Sequence, residues 1–453
     1  MTNGLNLREM ALEILLETEK NGAYPNVLLK ETLDKYLYME KQERAFLTRL
    51  VEGTVERKLT LDYWIDQVSK TPVKKMKPAI RCILRMAVYQ IFYMDSVPDS
   101  AACNEAVKLA QKKGFQNLKG FVNGVLRNLS RQKETLSMPD EAKDPVKAWS
   151  AAYSVPEWLV EKVVKTYGAE TAKKMFASLY EQVGKTTVRV NNSKISTEEC
   201  AKLLEKEGVT VEKAPYVENA LEISGYDSLG FLESFEKGYF QVQDVSSMLV
   251  GLAAAPKKGD RVIDICAAPG GKSIHAADLL QGTGQVEARD LTDYKVGLIR
   301  ENIQRCGFSN MTAKKADATV YEEESKESAD IVIADLPCSG LGVLKKKSDI
   351  KYRMTQEQIE ELAKLQRTIL KNAAAYVKKG GTLIYSTCTI TKEENDQQVD
   401  WILKNLPLRL VSLEGCICEE LLKNTEREGV LQLLPGREKT DGFFLAKFQK
   451  NDL

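Results

Sequence analysis

The second half of the chain alternates short apolar runs with helical segments, and this alternation limits the possible folds more than any other feature. The predicted strands are 261–265, 285–289, 330–334 and 382–386, and the predicted helices are 273–280, a segment ending near 306, and 356–377. Strands this apolar are buried on both faces, and intervening helices connect strands that run parallel. The pattern predicts a doubly wound α/β domain over residues 239–453.

Residues 1–133 show a different pattern, in which apolar side chains recur at helical spacing. Ile80, Leu84 and Ile91 are an example, and no strand-like alternation interrupts the series. We therefore predict an all-α domain over 1–133.

Between these two regions the composition changes again. Residues 134–156 are polar and contain three prolines, so they are predicted to form a linker. Residues 157–238 combine a strand pattern at 186–191 with a helical pattern at 197–207. This mixture predicts a small α+β domain.

Basic residues are concentrated in the helical region, although the net charge of the chain is only +1. Residues 57–133 contain fifteen Lys and Arg against five Asp and Glu. Such a segment favours a surface that faces nucleic-acid phosphates. A solvated helical face that opposes aggregation explains the same charge, so the segment alone leaves both interpretations open.

The usage of histidine and cysteine argues against several classes of site. One histidine, His275, is too few for the usual Ser-His-Asp, Cys-His or multi-histidine metal sites. Cys416 and Cys418 have no matching second pair, so we expect no metal. Nine scattered cysteines fit a reducing compartment. The chain has no long apolar run and no signal core, so we expect a cytoplasmic protein with no membrane contact. We also expect a monomer.

A glycine-rich turn joins the first predicted strand of the α/β domain to a helix. It reads Asp264-Ile265-Cys266-Ala267-Ala268-Pro269-Gly270-Gly271-Lys272-Ser273. Glycines let backbone amides approach a ligand, and a helix start supplies partial positive charge, so the turn is predicted to bind a nucleotide-like cofactor. It also nearly matches the P-loop G-x-x-x-x-G-K-[ST], with Cys266 in place of the first glycine. An NTPase with Asp335 as its magnesium-binding acid therefore stays open here.

Acidic residues follow the next strand ends. Asp290 comes about twenty residues after the turn, where a carboxylate can accept hydrogen bonds from both hydroxyls of a ribose. Asp317 follows a third strand, where it could meet an adenine edge. A turn or a helix cap would explain either residue singly. Together they favour an adenosine-containing cofactor.

Two cysteines and a carboxylate follow the last two predicted strands. Asp335-Leu336-Pro337-Cys338-Ser339-Gly340 comes after one strand, and Tyr385-Ser386-Thr387-Cys388-Thr389 ends the other. A random cysteine is more often a small buried residue. These two lie in polar, turn-forming surroundings at the edge where the cofactor is expected, which makes Cys338, Cys388 and Asp335 candidates for chemistry.

The segments D-I-C-A-A-P-G-G-K, D-L-P-C-S-G and S-T-C-T resemble motifs I, IV and VI of the RNA cytosine-C5 methyltransferases. The helical domain resembles a NusB-like RNA-binding domain, and the combination is similar to the bacterial RsmB type, which modifies 16S ribosomal RNA. The resemblance covers essentially the whole chain. It implies a Rossmann-like catalytic domain over 239–453 and RNA as the partner. It further implies that S-adenosyl-L-methionine is bound by Cys266, Ala267, Ala268, Pro269, Gly270, Gly271, Lys272, Asp290, Asp317 and Asp335.

The resemblance also implies roles for three residues. Cys388 is the nucleophile, whose thiolate adds to C6 of cytosine so that C5 can attack the methyl group. Asp335 is expected to protonate or hydrogen bond N3, and Cys338 is expected to act in release. The base must leave its stack, so single-stranded or loop RNA is the expected substrate. Lys345–Lys347, Lys351 and Arg353 either hold RNA phosphates or form a solvated loop.

Three other interpretations stay open from the sequence. The first is an RNA-coupled NTPase, and the second is a non-catalytic RNA-binding factor, which the helical domain suggests. The third keeps the chemistry but moves it to transfer RNA or DNA. In DNA cytosine methyltransferases the nucleophile resembles Cys338 rather than Cys388, so separate substitution of the two cysteines discriminates between these readings.

Overall fold

The structure is a computed structural model that describes residues 6–36, 38–181 and 184–452. The helices are α1 (Leu7–Asn21), α2 (Pro25–Lys35), α3 (Lys41–Glu56), α4 (Lys58–Val68), α5 (Pro78–Tyr93), α6 (Asp99–Lys112), α7 (Lys119–Gln132), α8 (Pro145–Tyr153), α9 (Glu157–Tyr167), α10 (Ala169–Ser178), α11 (Thr197–Lys206), α12 (Glu233–Glu236), α13 (Val245–Ala254), α14 (Gly271–Leu279), α15 (Asp293–Cys306), α16 (Ile350–Arg353), α17 (Gln356–Tyr376), α18 (Asp396–Asn405) and α19 (Glu419–Leu422).

The strands are β1 (Thr186–Val190), β2 (Thr210–Lys213), β3 (Ala220–Ser224), β4 (Phe240–Val242), β5 (Arg261–Asp264), β6 (Gln285–Asp290), β7 (Met311–Lys315), β8 (Ala329–Asp335), β9 (Val377–Thr387), β10 (Leu408–Leu410), β11 (Val430–Leu433) and β12 (Phe443–Lys450). The chain divides into two compact units. The first, here the helical unit, is Met1–Leu179 with Leu344–Arg353, and the second, here the catalytic unit, is Tyr180–Val343 with Met354–Leu453.

The helical unit is built around α5, which packs against α1, α3, α4, α6 and α7. Ile80, Leu84 and Ile91, which the helical spacing placed on one face, are all buried in its core. Pro78 occupies the first turn of α5, where the missing N–H of proline removes no helical hydrogen bond. The predicted all-α domain at the N-terminus is confirmed.

The prediction of a linker over 134–156 is wrong for α8, which is a buried helix. Its Trp149 ring packs against Phe176 of α10 with ring centroids 6.4 Å apart. The Thr60 hydroxyl donates to Ala151 O at 2.7 Å, which fastens α8 to α4. The prolines mislead because Pro145 starts α8 and Pro156 precedes α9, positions that helices tolerate. Helices α9 and α10, which the sequence places at the start of the α+β domain, pack within the helical unit.

A four-stranded antiparallel sheet forms the small domain, with strand order β2-β3-β1-β4. Its core includes Val188, Leu204 and Phe240. Arg189 on β1 is fully buried, and its guanidinium pairs with Asp278 of α14 at 3.2 Å. This contact fixes the small domain to the helix that follows the glycine-rich turn. The predicted α+β character of this region is confirmed.

The second sheet has the order β10-β12-β9-β8-β5-β6-β7, and β11 also pairs with β12. Strands β5 to β9 are parallel, whereas β12 runs antiparallel to β9, β10 and β11. The doubly wound α/β prediction is confirmed for the parallel part. The chain moves outward from β5 to β7 and then returns to β8 on the other side of β5. Ligands bind at such a reversal, outside the carboxyl ends of the strands.

Residues 344–353 pack within the helical unit, which neither sequence interpretation of their basic side chains anticipated. Lys351 is 1% exposed, and its Nζ donates to Glu56 O at the end of α3 at 3.0 Å. The Arg353 guanidinium donates to Gly22 O and Ala23 O, just after α1. The last carbonyls of a helix lack partners within the helix and accept such donors. Lys351 and Arg353 therefore cap helices and are not placed to hold RNA phosphates.

Candidate active site

The glycine-rich turn lies at the carboxyl end of β5, as the sequence predicted. Gly270 has φ of +105°, a conformation that only glycine adopts easily, and α14 begins at the next residue. The backbone N–H of Ala268 donates to Asp290 Oδ2 at 3.0 Å. The turn is thus tied to the end of β6, and its amides and the start of α14 face the same edge of the sheet.

Asp264, at the end of β5, is a fully buried carboxyl group. Its Oδ2 accepts a hydrogen bond from the Ser273 hydroxyl at 2.6 Å, whereas Oδ1 has no partner among the described residues. Burial raises the pKa of Asp264 to about 7. Asp264 is therefore enclosed by the turn, and it ties the end of β5 to the start of α14 through Ser273.

Asp290 and Asp317 differ in their surroundings. Asp290 is 5% exposed, and its Oδ1 accepts from Leu291 N at 2.8 Å and pairs with Lys295 Nζ at 3.0 Å. Asp317 is exposed, and its Oδ1 accepts from the amide and hydroxyl of Thr319. These hydrogen bonds lower the pKa of Asp317. A held carboxylate beside backbone amides is a donor and acceptor set that fits an adenosyl cofactor.

Asp335, at the end of β8, is held between two donors. Lys272 Nζ lies 2.7 Å from its Oδ2, and the Ser386 hydroxyl donates to its Oδ1 at 2.7 Å. Burial alone would lower the pKa of Lys272, but the charge and hydrogen bond of Asp335 outweigh it and raise that pKa. Lys272 is therefore a cation beside the cysteines.

Cys338 and Cys388 are brought together by the ends of β8 and β9. Their sulfur atoms are 3.3 Å apart, and both residues are partly exposed. The hydrogen bond to Cys388 raises the pKa of Cys338 well above its ordinary value, and burial and nearby carboxylates add to this effect. The two thiols are therefore close enough to share a proton.

A close backbone approach closes the base of this site. The amide of Gly342 donates to Cys388 O at 3.0 Å, and the amide of Gly442 donates to Gly342 O at 2.9 Å. A Cβ added at Gly342 would lie 2.1 Å from Gly442 O. Gly442, just before β12, therefore matters because it lets the last strand approach the cysteine loops.

Sequence reasoning missed Glu394 and Asn395, which are buried below the cysteines. Asn395 Oδ1 accepts from the Thr387 hydroxyl at 2.6 Å, and its Nδ2 donates to Thr389 O at 3.1 Å, so it holds both neighbours of Cys388. The sequence Glu393-Glu394-Asn395 looks like an ordinary polar helix start before α18, so no signal distinguished it.

The remaining candidates divide into two groups. The Cys266 thiol lies in the turn, and burial raises its pKa above the ordinary value, so it is not poised as a nucleophile. Among the basic residues of 57–133, Arg81 and Arg85 pair with Glu19, whereas other cations are exposed: Lys74, Lys75, Lys77, Arg127 and Arg131.

In the described part of the chain, no cluster of three His, Cys, Asp or Glu side chains is arranged for a metal, and no helix is long and apolar enough to cross a membrane.

Three family models match the chain in the order of its domains. The NusB family matches residues 5–131, a ferredoxin-like domain of RsmF/B-like methyltransferases matches 155–227, and the 16S rRNA methyltransferase RsmB/F model matches 251–449. The crystal structure of PH0851 has a TM-score of 0.81 at 26% identity and covers 98% of this chain and 100% of its own. The crystal structure of NSun6 from Pyrococcus horikoshii with SFG has a TM-score of 0.57 at 26% identity, covering 65% and 98%.

A curated relative matches over nearly the full length of both chains. It is the Bacillus subtilis (strain 168) protein described as "Probable ribosomal RNA small subunit methyltransferase B", which is 39% identical over 448 residues. The match covers 98% of this chain and 99% of the relative. Identity at this level over all three domains shows that the chain belongs to the RsmB/F family of 16S rRNA methyltransferases.

Proposed function

We propose that the protein transfers a methyl group from S-adenosyl-L-methionine to C5 of a cytosine in 16S ribosomal RNA, through a covalent bond between Cys388 Sγ and C6 of the base. The observation that carries this proposal is the pair of thiols 3.3 Å apart, beside a lysine-paired Asp335. The ribosomal target is supported by the family description and by the name of the Bacillus subtilis relative.

S-adenosyl-L-methionine supplies an electrophilic methyl group when it is bound. The residues that would hold it are the turn Cys266–Lys272, Asp290 at the ribose hydroxyls and Asp317 on the adenine side. The carboxylate of Asp290, beside the backbone amide of Ala268, suits a ligand rich in hydroxyl and amino groups. The presence of SFG, an S-adenosylmethionine analogue, in a related methyltransferase structure supports the same cofactor.

The protein's charges favour Cys388 as the nucleophile. The hydrogen bond to Cys388 and burial raise the pKa of Cys338, which disfavours a thiolate at that residue, and the motif resemblance assigns the nucleophile to Cys388. The Lys272 ammonium interacts favourably with the charge of Cys388, which is one of the causes of the raised pKa of Lys272. A thiolate, not a thiol, is the species that adds to C6.

Asp335 and Lys272 handle the charge that develops on the ring. When the thiolate adds to C6, electron density moves toward N3, and this atom needs a proton or a strong hydrogen bond. Lys272 Nζ lies 2.7 Å from Asp335 Oδ2, so Asp335 can take a proton from the Lys272 ammonium and pass it to N3. The Asp335 role is thus shared with Lys272.

Cys338 completes the reaction in this proposal. Its pKa is raised chiefly by the hydrogen bond to Cys388. Once Cys388 is bonded to C6 that hydrogen bond is lost, and Cys338 gives up its proton more readily. After its own proton has passed to solvent, the Cys338 thiolate removes the C5 proton. The bond between Cys388 Sγ and C6 then breaks, the Cys388 thiolate leaves, and N3 returns its proton through Asp335 to Lys272, which frees the product.

Single substitutions of the two cysteines test the proposal. Cys388→Ala should abolish methyl transfer to 16S RNA while cofactor affinity, measured by calorimetry, stays within about twofold of wild type. Cys338→Ala should accumulate a protein–RNA adduct that survives a denaturing gel, because the C5 proton is not removed. Cys418→Ala, a partly exposed thiol outside the site, is the matched control and should behave as wild type.

Two results would overturn the assignment. Normal turnover by Cys388→Ala would exclude that residue as nucleophile, and an adduct that depends on Cys338 would exchange the two roles. Methylation of transfer RNA but not of 16S RNA by the wild-type protein, with bisulfite sequencing to locate the base, would keep the chemistry and reject the ribosomal substrate.

A further inference from the structure

Glu394 is a fully buried carboxylate between the two loops that carry the cysteines. It lies six residues after Cys388, in the segment that leads into α18. All four of the donors that the described part of the chain gives it are neutral. An ionised carboxylate that is buried without a paired cation is unfavourable unless hydrogen bonds compensate for the loss of water. The position of Glu394 between the cysteine loops therefore suggests that its hydrogen bonds have a function.

The donors come from both sides of the active site. The backbone amide of Ser339 donates to Oε1 at 2.8 Å, and the Ser339 hydroxyl donates to Oε2 at 2.6 Å. The Thr391 hydroxyl donates to Oε2 at 2.7 Å, and Gln366 Nε2 donates to Oε1 at 3.2 Å. Ser339 follows Cys338 directly, so the carboxylate holds the Cys338 loop by main chain and side chain together.

The loop of Cys388 is tied to the same carboxylate through one shared hydroxyl. Ser339 Oγ and Thr389 Oγ lie 2.6 Å apart. Because the single proton of Ser339 is donated to Glu394, the Thr389 hydroxyl must donate to Ser339. Thr389 follows Cys388 directly, and Thr391 lies two residues further along the chain. Both cysteines are therefore one residue away from a network that is centred on Glu394.

The network also includes the helix behind the site. Gln366 of α17 donates to Pro337 O at 2.9 Å as well as to Glu394, and the Tyr385 hydroxyl donates to Glu394 O. Pro337 precedes Cys338, so the Cys338 loop is held on both sides of the cysteine. The anchoring groups lie on rigid elements, α17 and β9, rather than on another loop.

We propose that Glu394 is a positioning residue that sets the distance and orientation of the Cys338 and Cys388 thiols by holding both of their loops. It touches no reacting atom, and its role in catalysis rests on the proposed function of these cysteines. Displacement of a reacting group by about 1 Å costs roughly a hundredfold in rate, so loss of the shared acceptor should lower turnover without a matching loss of RNA or cofactor affinity.

The test uses the full-length protein with Glu394→Gln, Glu394→Ala and the matched control Glu393→Gln. Glu393 is the preceding residue, and its Oε1 accepts from Gln356 of α17. A glutamine at 394 keeps the side-chain volume. Its NH2 group would replace one carboxylate oxygen, so two of the four donors would face another donor instead of an acceptor. We expect kcat for methyl transfer to fall by about tenfold or more in both Glu394 variants, with KM and cofactor affinity within about twofold, and wild-type behaviour in Glu393→Gln.

A second measurement does not depend on methyl transfer. The rate at which iodoacetamide alkylates Cys338 and Cys388 is followed against pH by peptide mass mapping. The groups that raise the pKa of Cys338 are Cys388, Glu394 and Asp335, together with burial. Removal of the Glu394 charge should move the alkylation of Cys338 to lower pH, and Glu393→Gln should not.

These readouts separate the two proposals. If wild type transfers no methyl group to RNA, the proposed function fails, while the alkylation profile still decides the role of Glu394. A Glu394→Gln protein with wild-type kcat, or with an unchanged alkylation profile, overturns the positioning role. If Glu394→Ala does not fold, Glu394→Gln carries the test, because its retained volume and one remaining acceptor oxygen preserve the packing.

Discussion

Lys351 is a buried lysine whose replacement should change how the stability of the helical unit depends on pH. Its side chain is 1% exposed, and its Nζ donates to Glu56 O at 3.0 Å. Burial lowers the pKa of this amine from 10.5 to about 7, while the charge of Glu56 opposes the shift and that of Arg57 adds to it. The protein thus tolerates a lysine where an uncharged amine is preferred.

The direction of the pH effect follows from the protons that each state binds. Below about pH 7 the amine of Lys351 is protonated in the folded and the unfolded chain, and above about pH 10.5 it is neutral in both. Between these values only the unfolded chain binds the proton, so the free energy of unfolding rises with pH. One group contributes about 1.4 kcal/mol for each pH unit in this window.

We expect Lys351→Met to remove this contribution. Urea unfolding between about pH 7 and 10 can be followed by tryptophan fluorescence, because Trp64, Trp149 and Trp158 all lie in the helical unit. The stability of wild type relative to the variant should grow by about 1.4 kcal/mol per pH unit. Lys347→Met, an exposed position in the same segment, should follow wild type. An equal slope in wild type and Lys351→Met would refute the reasoning.

Two further predictions concern the catalytic unit. Gly342→Ala should destabilise it by about 1–3 kcal/mol, because the new Cβ would lie 2.1 Å from Gly442 O. The control is Gly124→Ala in α7, where nothing lies within 4 Å of the new Cβ. It should stabilise its helix by up to about 1 kcal/mol. Equal changes of the free energy of unfolding for the two variants in urea would contradict the backbone clash. Asp290→Asn should weaken S-adenosyl-L-methionine binding at least about tenfold, since hydrogen bonds to a charged acceptor are worth about 1.5–3 kcal/mol. Asp317→Asn should have a smaller effect, and calorimetry that gives the reverse order would exclude the ribose role of Asp290.

The parallel strands and the polar groups at their ends could be predicted from the sequence. Each strand is an apolar run that stops at turn-forming residues, and the carboxyl ends of parallel strands share one edge of a sheet. Asp290, Asp335, Cys338 and Cys388 therefore had to converge once the strands were identified. The distance between the two sulfur atoms could not be predicted, because it depends on hydrogen bonds within the loops.

The features that escaped prediction depend on contacts between residues far apart in the chain. The hydroxyls of Tyr352 and Ser154 lie 2.8 Å apart although 198 residues separate them, and no local pattern marks such a contact. The antiparallel strands β10 to β12 are short or follow irregular segments, so their periodicity was weak. Glu394 resembles any acid before a helix, and only the tertiary structure shows which donors surround it.

The assignment of residues 344–353 to the helical unit has a consequence for the time at which that unit is completed on the ribosome. The chain emerges N-terminus first, at about 5–20 residues per second. Residues 344–353 appear about 165 residues after Leu179, which corresponds to roughly 8 to 33 s of synthesis at that rate. During this interval the carbonyl of Glu56 at the end of α3, and those of Gly22 and Ala23 just after α1, lack the donors that later bind them. The helical unit is therefore complete only after residues 344–353, which lie within the sequence of the catalytic unit, have been synthesised. Cleavage of the chain at one position cannot separate the two complete units.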